Sequence, residues 1–267
     1  MTFFHSVYDA IYFNYLSFGT LLSFIFTFLL GIYLVTLPGK SKSTFHMGLG
    51  FFFMGLFNLS YVFAAMLYMP FAAFHRWGSV GFILPGVLHL TQWLFYFPED
   101  SYAKTRRFFQ YAQWTIAIAV EAVFVYVSLH SNTKFHFTGH YWDFDAEWVS
   151  KIVGIVIFGY ILLIPVVGIW KTIVVKTQER WAILQVTIAI MVASIVPAYM
   201  NILSRDGILD RGIYLTSFVL FTVFGFFFVV IIFMIKSISW RKVPNFQINV
   251  LGWQCIQNIE LYTKRWL

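Results

Sequence analysis

Seven apolar runs, at 9–36, 46–69, 78–97, 108–129, 151–170, 182–203 and 212–235, set the architecture of this chain. A helix needs about 20 residues to cross roughly 30 Å of hydrocarbon, and every run reaches that length. Lipid offers the backbone no hydrogen-bond partner, so a spanning segment is either a helix or a strand in a closed barrel. A barrel strand alternates polar with apolar residues, whereas Ile152-Val153-Gly154-Ile155-Val156-Ile157-Phe158 is apolar all round. The predicted fold is all-α: an integral membrane seven-helix bundle over 1–236, followed by a short cytoplasmic tail, 237–267.

Composition excludes the soluble alternatives. Charged residues are 11% of 267, against about a quarter in a water-facing globule, and 60% are apolar. A cytosolic enzyme, a disordered chain and a secreted disulfide scaffold are ruled out, the last because Cys255 is the single cysteine. The net charge of +7 does not indicate nucleic acid, since the basic residues sit singly or in twos and threes between apolar blocks. An inner membrane leaflet accounts for them, and the lipid bilayer is the first expected partner.

Orientation follows from the same residues. With the N-terminus outside, the inner side collects eleven bases, among them Lys40, Lys42, Lys104, Arg106, Arg107, Lys171 and Arg180. Five fall outside: Arg76, Lys134, Lys151, Arg205 and Arg211. That bias predicts N-out, C-in in the cell (inner) membrane. No base precedes Lys40, so the first run reads as a retained span and not as a cleaved signal peptide.

Polar residues within spans require a reason. A carboxylate near a helix centre costs roughly 2.5–3.5 kcal/mol on insertion scales, which makes Glu121 in span four the most informative residue. Span three carries His89 and Gln92 on one face. A rise of about 1.5 Å per residue puts His89 about 16 Å and Glu121 about 12 Å below the outer ends of their spans. The two are expected to meet, either as a sensing pair or as interhelical glue. Asn58 and Ser60 would join that network, and Asn14 with Ser17 would extend it. Pro85, Pro165 and Pro197 permit kinks. Gly48, Gly55, Gly154 and Gly159 are expected where helices approach closely.

The longest loop, near 130–150, contains Lys134-Phe135-His136-Phe137-Thr138-Gly139-His140-Tyr141-Trp142-Asp143-Phe144-Asp145. Its partial alternation around Gly139 predicts a short hairpin or lid over the bundle mouth. His136, His140, Asp143 and Asp145 offer imidazole and carboxylate suited to Zn or Cu, although no HExxH or CxxC spacing supports a metal site. No cofactor is expected. His140, Asp143 and Asp145 also count as sensing candidates, and Ser204-Arg205-Asp206-Gly207 and His75-Arg76-Trp77 would pair with the loop acids as surface salt bridges.

Several known groups are excluded. Gly212 to Ile235 contains no lysine for retinal, span three ends in Phe97-Pro98-Glu99-Asp100, and span seven has no Asn-Pro-x-x-Tyr. The stretches Phe74-His75-Arg76-Trp77, Gly81-Phe82-Ile83-Leu84-Pro85, Phe97-Pro98-Glu99, Gly139-His140-Tyr141-Trp142-Asp143-Phe144-Asp145 and Ser204-Arg205-Asp206-Gly207 resemble the seven-helix sensory region at the N-terminus of bacterial signalling proteins. The resemblance covers about residues 1–240. In that group the membrane module precedes a nucleotide cyclase, a histidine kinase or a phosphatase. It implies a sensor that passes its signal to a cytoplasmic effector, here a separate partner or a part of a longer protein.

The expected function is a membrane receptor module reading a small molecule, lipid or proton through an outer pocket bounded by His89, Glu121 and the long loop. The alternative is a proton-coupled transporter or channel using Glu121 and His89 as relay groups. An intramembrane lipid enzyme would need paired carboxylates or a nucleophile beside a base. No catalytic motif of that kind is visible.

Overall fold

The computed structural model describes residues 11–98, 102–131, 133–175 and 179–240. Its helices are α1 (Tyr15–Thr36), α2 (Lys42–Met66), α3 (His75–Tyr96), α4 (Ala103–His130), α5 (Glu147–Val174), α6 (Glu179–Arg205) and α7 (Arg211–Trp240). A 3-10 turn, Pro70–Phe74, leads into α3, and strands β1 (Lys134–Phe137) and β2 (Trp142–Asp145) form a hairpin between α4 and α5. Helices α1 to α6 are long and apolar enough to cross a membrane; the described apolar part of α7, Arg211–Gly225, is shorter. The protein is therefore a mainly helical, multi-pass membrane protein. The tail beyond Trp240 with Cys255, the first ten residues, and Glu99, Asp100 and Lys176 lie outside the described residues.

Most helices begin before their apolar runs. The α4 helix starts at Ala103, so Lys104, Arg106 and Arg107 form its first turn. Hydropathy marks the part of a helix that suits hydrocarbon, while the helix itself continues beyond it, where Lys104 and Arg107 are exposed and Arg106 is buried against the Tyr96 ring. The first span behaves oppositely and starts late. Asn14 Oδ1 accepts from Ser17 N at 2.9 Å while Ser17 Oγ accepts from Asn14 N at 2.8 Å, a reciprocal cap that fixes the helix start. Asn14 Nδ2 also donates to Ala65 O of α2 at 3.2 Å, so the pair caps α1 and ties it to α2, and among the described residues it does not extend to Asn58 or Glu121 as the sequence suggested.

Six helices close a ring. The α1 helix packs on α2, α2 on α3, α3 on α5, α5 on α6, α6 on α7, and α7 returns to α1. The α4 helix lies outside, against α3 and α5. Position explains exposure: α3 is the most enclosed span, whereas Phe108, Tyr111 and Ile118 of α4 are exposed. On α5 Ile155, Val166 and Ile173 are likewise exposed. Contiguous apolar surface of this kind would be an aggregation liability in water, and in a bilayer it is the surface that lipid covers.

Glycines set the closest contacts. A Cβ on Gly55 of α2 would sit 2.9 Å from the Phe28 backbone of α1, and one on Gly31 would collide with the Phe52 backbone. Gly48 similarly faces Leu34 and Val35. Gly154 and Gly159 do not behave as the sequence suggested, since a Cβ there would meet nothing within 4 Å.

Candidate functional site

Beneath the hairpin lies a cavity of about 190 Å³ enclosed by α2, α3, α5, α6 and α7. Its roof is polar and comes from the ends of three elements. Arg76 stands in the first turn of α3, Arg211 begins α7, and Asp143 comes from β2. Arg76 Nε is 3.5 Å from Asp143 Oδ1, and Arg211 Nη2 is 4.0 Å from Asp143 Oδ2. Arg76 also donates to Phe144 O and, at 3.5 Å, to Ser150 Oγ at the start of α5. Arg211 donates to Asn201 Oδ1 at 3.0 Å and to the Tyr141 hydroxyl.

Local sequence explains how Asp143 reaches this position. Gly139, at φ 89°, makes the tight turn, a conformation that glycine adopts without a Cβ penalty. The strands then pair with Phe135 opposite Phe144 and His136 opposite Asp143. Phe144 is wholly buried, stacks on Phe124 and lies against Arg76, which anchors β2 in the bundle. Aromatic rings complete the roof. Arg211 lies 4.8 Å from the Tyr214 ring centre, and Tyr61 packs edge-on against both Tyr141 and His75. Burial pushes the Tyr141 phenol, in the hairpin turn, above its usual range, so it is protonated and accepts the guanidinium hydrogen bond as a neutral hydroxyl.

Below the roof the walls become apolar, with Met54, Ile157, Ile161 and Phe218. Asn58, Ser194 and Thr222 interrupt them. Asn58 is completely buried; its Nδ2 donates to Met54 O at 2.8 Å, and its Oδ1 has no hydrogen-bond partner among the described residues. Arg211 Nε likewise has no hydrogen-bond partner among the described residues.

Of the residues singled out from sequence, the cavity gathers Asn58 and Asp143. His89 and Glu121 are not brought together. His89 Nδ1 lies 3.0 Å from His46 Nδ1, and its ring stacks on Phe53 and meets Trp114 edge-on. Glu121 instead faces Gly81, whose Cβ would lie 3.4 Å from its carboxylate, and its Oε2 has no partner among the described residues. Glu121 is level with Gly81, eight residues or about 12 Å nearer the start of α3 than His89, where the sequence put the two about 4 Å apart in depth; the start of α3 at His75 and not at 78 accounts for only part of that difference. Gln92 is fully buried with neither amide atom partnered among the described residues, and it does not line the cavity.

The hairpin candidates also separate. His136 and Asp145 are exposed on their strands, and the His140 ring lies edge-on to Tyr15 at 6.5 Å. Among the described residues no three His, Cys, Asp or Glu side chains gather as a metal site. The Arg76–Asp143 pair forms as expected, but it is not a surface bridge: the two side chains are 9% and 13% exposed. Arg211, Tyr61, Tyr141 and Tyr214 were missed. One signal was available, because Arg76 and Arg211 both fall on the side that the charge bias leaves poor in bases. A base placed there against the trend needs a local reason. No protein-family model and no curated protein matches this chain.

Proposed function

We propose that the protein is a membrane sensor whose signal is read in the cavity under the hairpin and delivered at the opposite end of the bundle. The observation that carries this reading is the shared carboxylate of Asp143, which latches β2 to α3 and α7 at once. Because β2 runs almost directly into α5, a ligand that takes either arginine from Asp143 alters the forces on three helices. A differential affinity of a few kcal/mol between two packings is enough to shift such a bundle. The hairpin end faces outward in this account, and the end carrying Lys40, Lys104, Arg107 and Arg180 faces the cytoplasm and an effector, as in the signalling proteins the sequence resembles. The relay needed for proton-coupled transport finds less support, since Glu121 faces Gly81 and His89 is bonded to His46.

Hydrogen exchange on the chain in nanodiscs tests the reading. Asp143→Asn should raise exchange in the hairpin and also change it at the α3–α4 and α5–α6 turns. A change confined to the hairpin contradicts sensing. Proton flux in proteoliposomes that Glu121→Gln abolishes would instead establish the transport reading. Thr138→Cys should react with an impermeant maleimide in intact cells, and Lys104→Cys only after permeabilisation; the reverse pattern contradicts the orientation.

A further inference from the structure

We infer that the cavity takes a single-chain carboxylate amphiphile of medium length, with its head at Arg211 and Arg76, its chain running toward Phe218, and a hydrogen-bond donor near the head that reaches Asn58. The inference names the ligand of the proposed sensing site and rests on that reading for the consequence of binding, though not for binding itself.

Charge selects the head. The roof holds two guanidinium groups and one carboxylate, so a monoanion brings it to neutrality, whereas a cation would add to the excess. Arg211 is the group best placed to accept that head. Its contact with Asp143 is 4.0 Å, beyond hydrogen-bond length, and its Nε has no hydrogen-bond partner among the described residues. A guanidinium and a carboxylate match in a two-pronged geometry that a point-like cation cannot reproduce.

Shape selects the tail. Arg211 and Thr222 both line the cavity and stand eleven residues apart on one helix, about 16 Å. The volume of about 190 Å³ only modestly exceeds that of a cavity of roughly 150 Å³ that holds benzene. A space so long for its volume is narrow. It accommodates one acyl chain, and it excludes the two chains of a phospholipid. The walls along it are mainly aliphatic and aromatic, interrupted by Asn58, Ser194 and Thr222; of these Asn58 offers a buried acceptor, one helical turn below Tyr61, whose Oδ1 receives no donor among the described residues. A hydroxyl or amide N–H a few bonds from the carboxylate would supply that donor. Gly154, exposed and free of neighbours on α5, marks the flank through which a membrane-dissolved chain reaches the cavity.

Radiolabelled octanoate binding to the full chain in nanodiscs, against empty nanodiscs, tests the inference. Saturable binding is expected, displaced by 3-hydroxyoctanoate at lower concentration and not by octyltrimethylammonium or acetate. Arg211→Gln should weaken octanoate at least ten-fold, and Asn58→Leu should erase the preference for the hydroxyl. Thr222→Met, which fills the far end of the cavity without touching the latch, should weaken octanoate at least five-fold and keeps the test decisive if Arg211→Gln does not fold. Binding no greater than to empty nanodiscs, equal competition by the cation, or octanoate affinity unchanged in folded Arg211→Gln or Thr222→Met would overturn the ligand class. If octanoate does not bind while Asp143→Asn still alters exchange at the far end, the ligand class fails and the sensor reading stands. Binding of octanoate without any change at the far end has the opposite meaning.

Discussion

Asp143 of the hairpin lies 3.5 Å from Arg76 of α3, and both side chains are almost wholly withdrawn from solvent. A buried ion pair adds little net stability over a well-packed apolar substitute, but removing one partner strands the other charge. Here two stranded cations would result, since Arg211 shares the same carboxylate. Asp143→Asn is therefore expected to destabilise the folded bundle by about 3 kcal/mol. Unfolding in mixed detergent micelles measures this, with protease cleavage near Thr138 reporting release of the hairpin.

Two glycine substitutions should act in opposite directions. Gly55→Ala pushes a methyl against the Phe28 backbone, which cannot rotate away, and is expected to cost about 1–3 kcal/mol. Gly154→Ala meets nothing and should gain roughly 0.5–1 kcal/mol from helix propensity. The same detergent unfolding assay compares them. Equal effects would show that α1 and α2 are not held together by backbone approach.

The glycine contrast shows how much of the fold could be read from sequence. Length and hydropathy located all seven helices, six of which are long and apolar enough over their described residues to cross a membrane, because lipid forces a long apolar segment to be a helix. The same signals are blind to azimuth: Gly48, Gly55, Gly154 and Gly159 look alike in sequence, yet two sit at a helix contact and two do not. Azimuth also governed the site. Asn58 faces the cavity, whereas Glu121, the residue most conspicuous by type, sits on α4 outside the ring. The latch was only half legible, since Asp143 stood out in the loop but Arg211 lies 68 positions away and only the fold brings them together.

The His46–His89 contact should behave as structural glue. At 3.0 Å between the two Nδ1 atoms, one ring donates and the other accepts. A double-mutant cycle with His46→Phe and His89→Phe is expected to give a coupling of about 1 kcal/mol. Octanoate binding, if measured in the same variants, should stay at the wild-type level. Loss of binding in folded His89→Phe would mean that this pair, and not the roof of the cavity, reads the ligand.

Tyr141 predicts an alkaline limit to the latch. Its folded-state pKa is raised by burial above an unfolded value of about 10. The folded form thus holds the proton more tightly, so its contribution is intact below about pH 10 and is lost as pH rises toward the folded-state value. Hairpin protection from hydrogen exchange, corrected for intrinsic rates, should be flat from about pH 6 to 9 on this basis. Tyr141→Phe, which removes the hydroxyl acceptor for Arg211, should cost about 1.5–3 kcal/mol and flatten the alkaline loss.

The distance between spin labels across the far end of the ring tests the coupling at its root. Lys40→Cys and Arg180→Cys, in a Cys255→Ser background, place one label beside α2 and one at the start of α6. Releasing the latch with Asp143→Asn should move the label-to-label distance distribution, and octanoate on the unreleased protein should move it the same way. A distribution that stays fixed while hydrogen exchange shows the hairpin open would contradict transmission from the cavity to the far end.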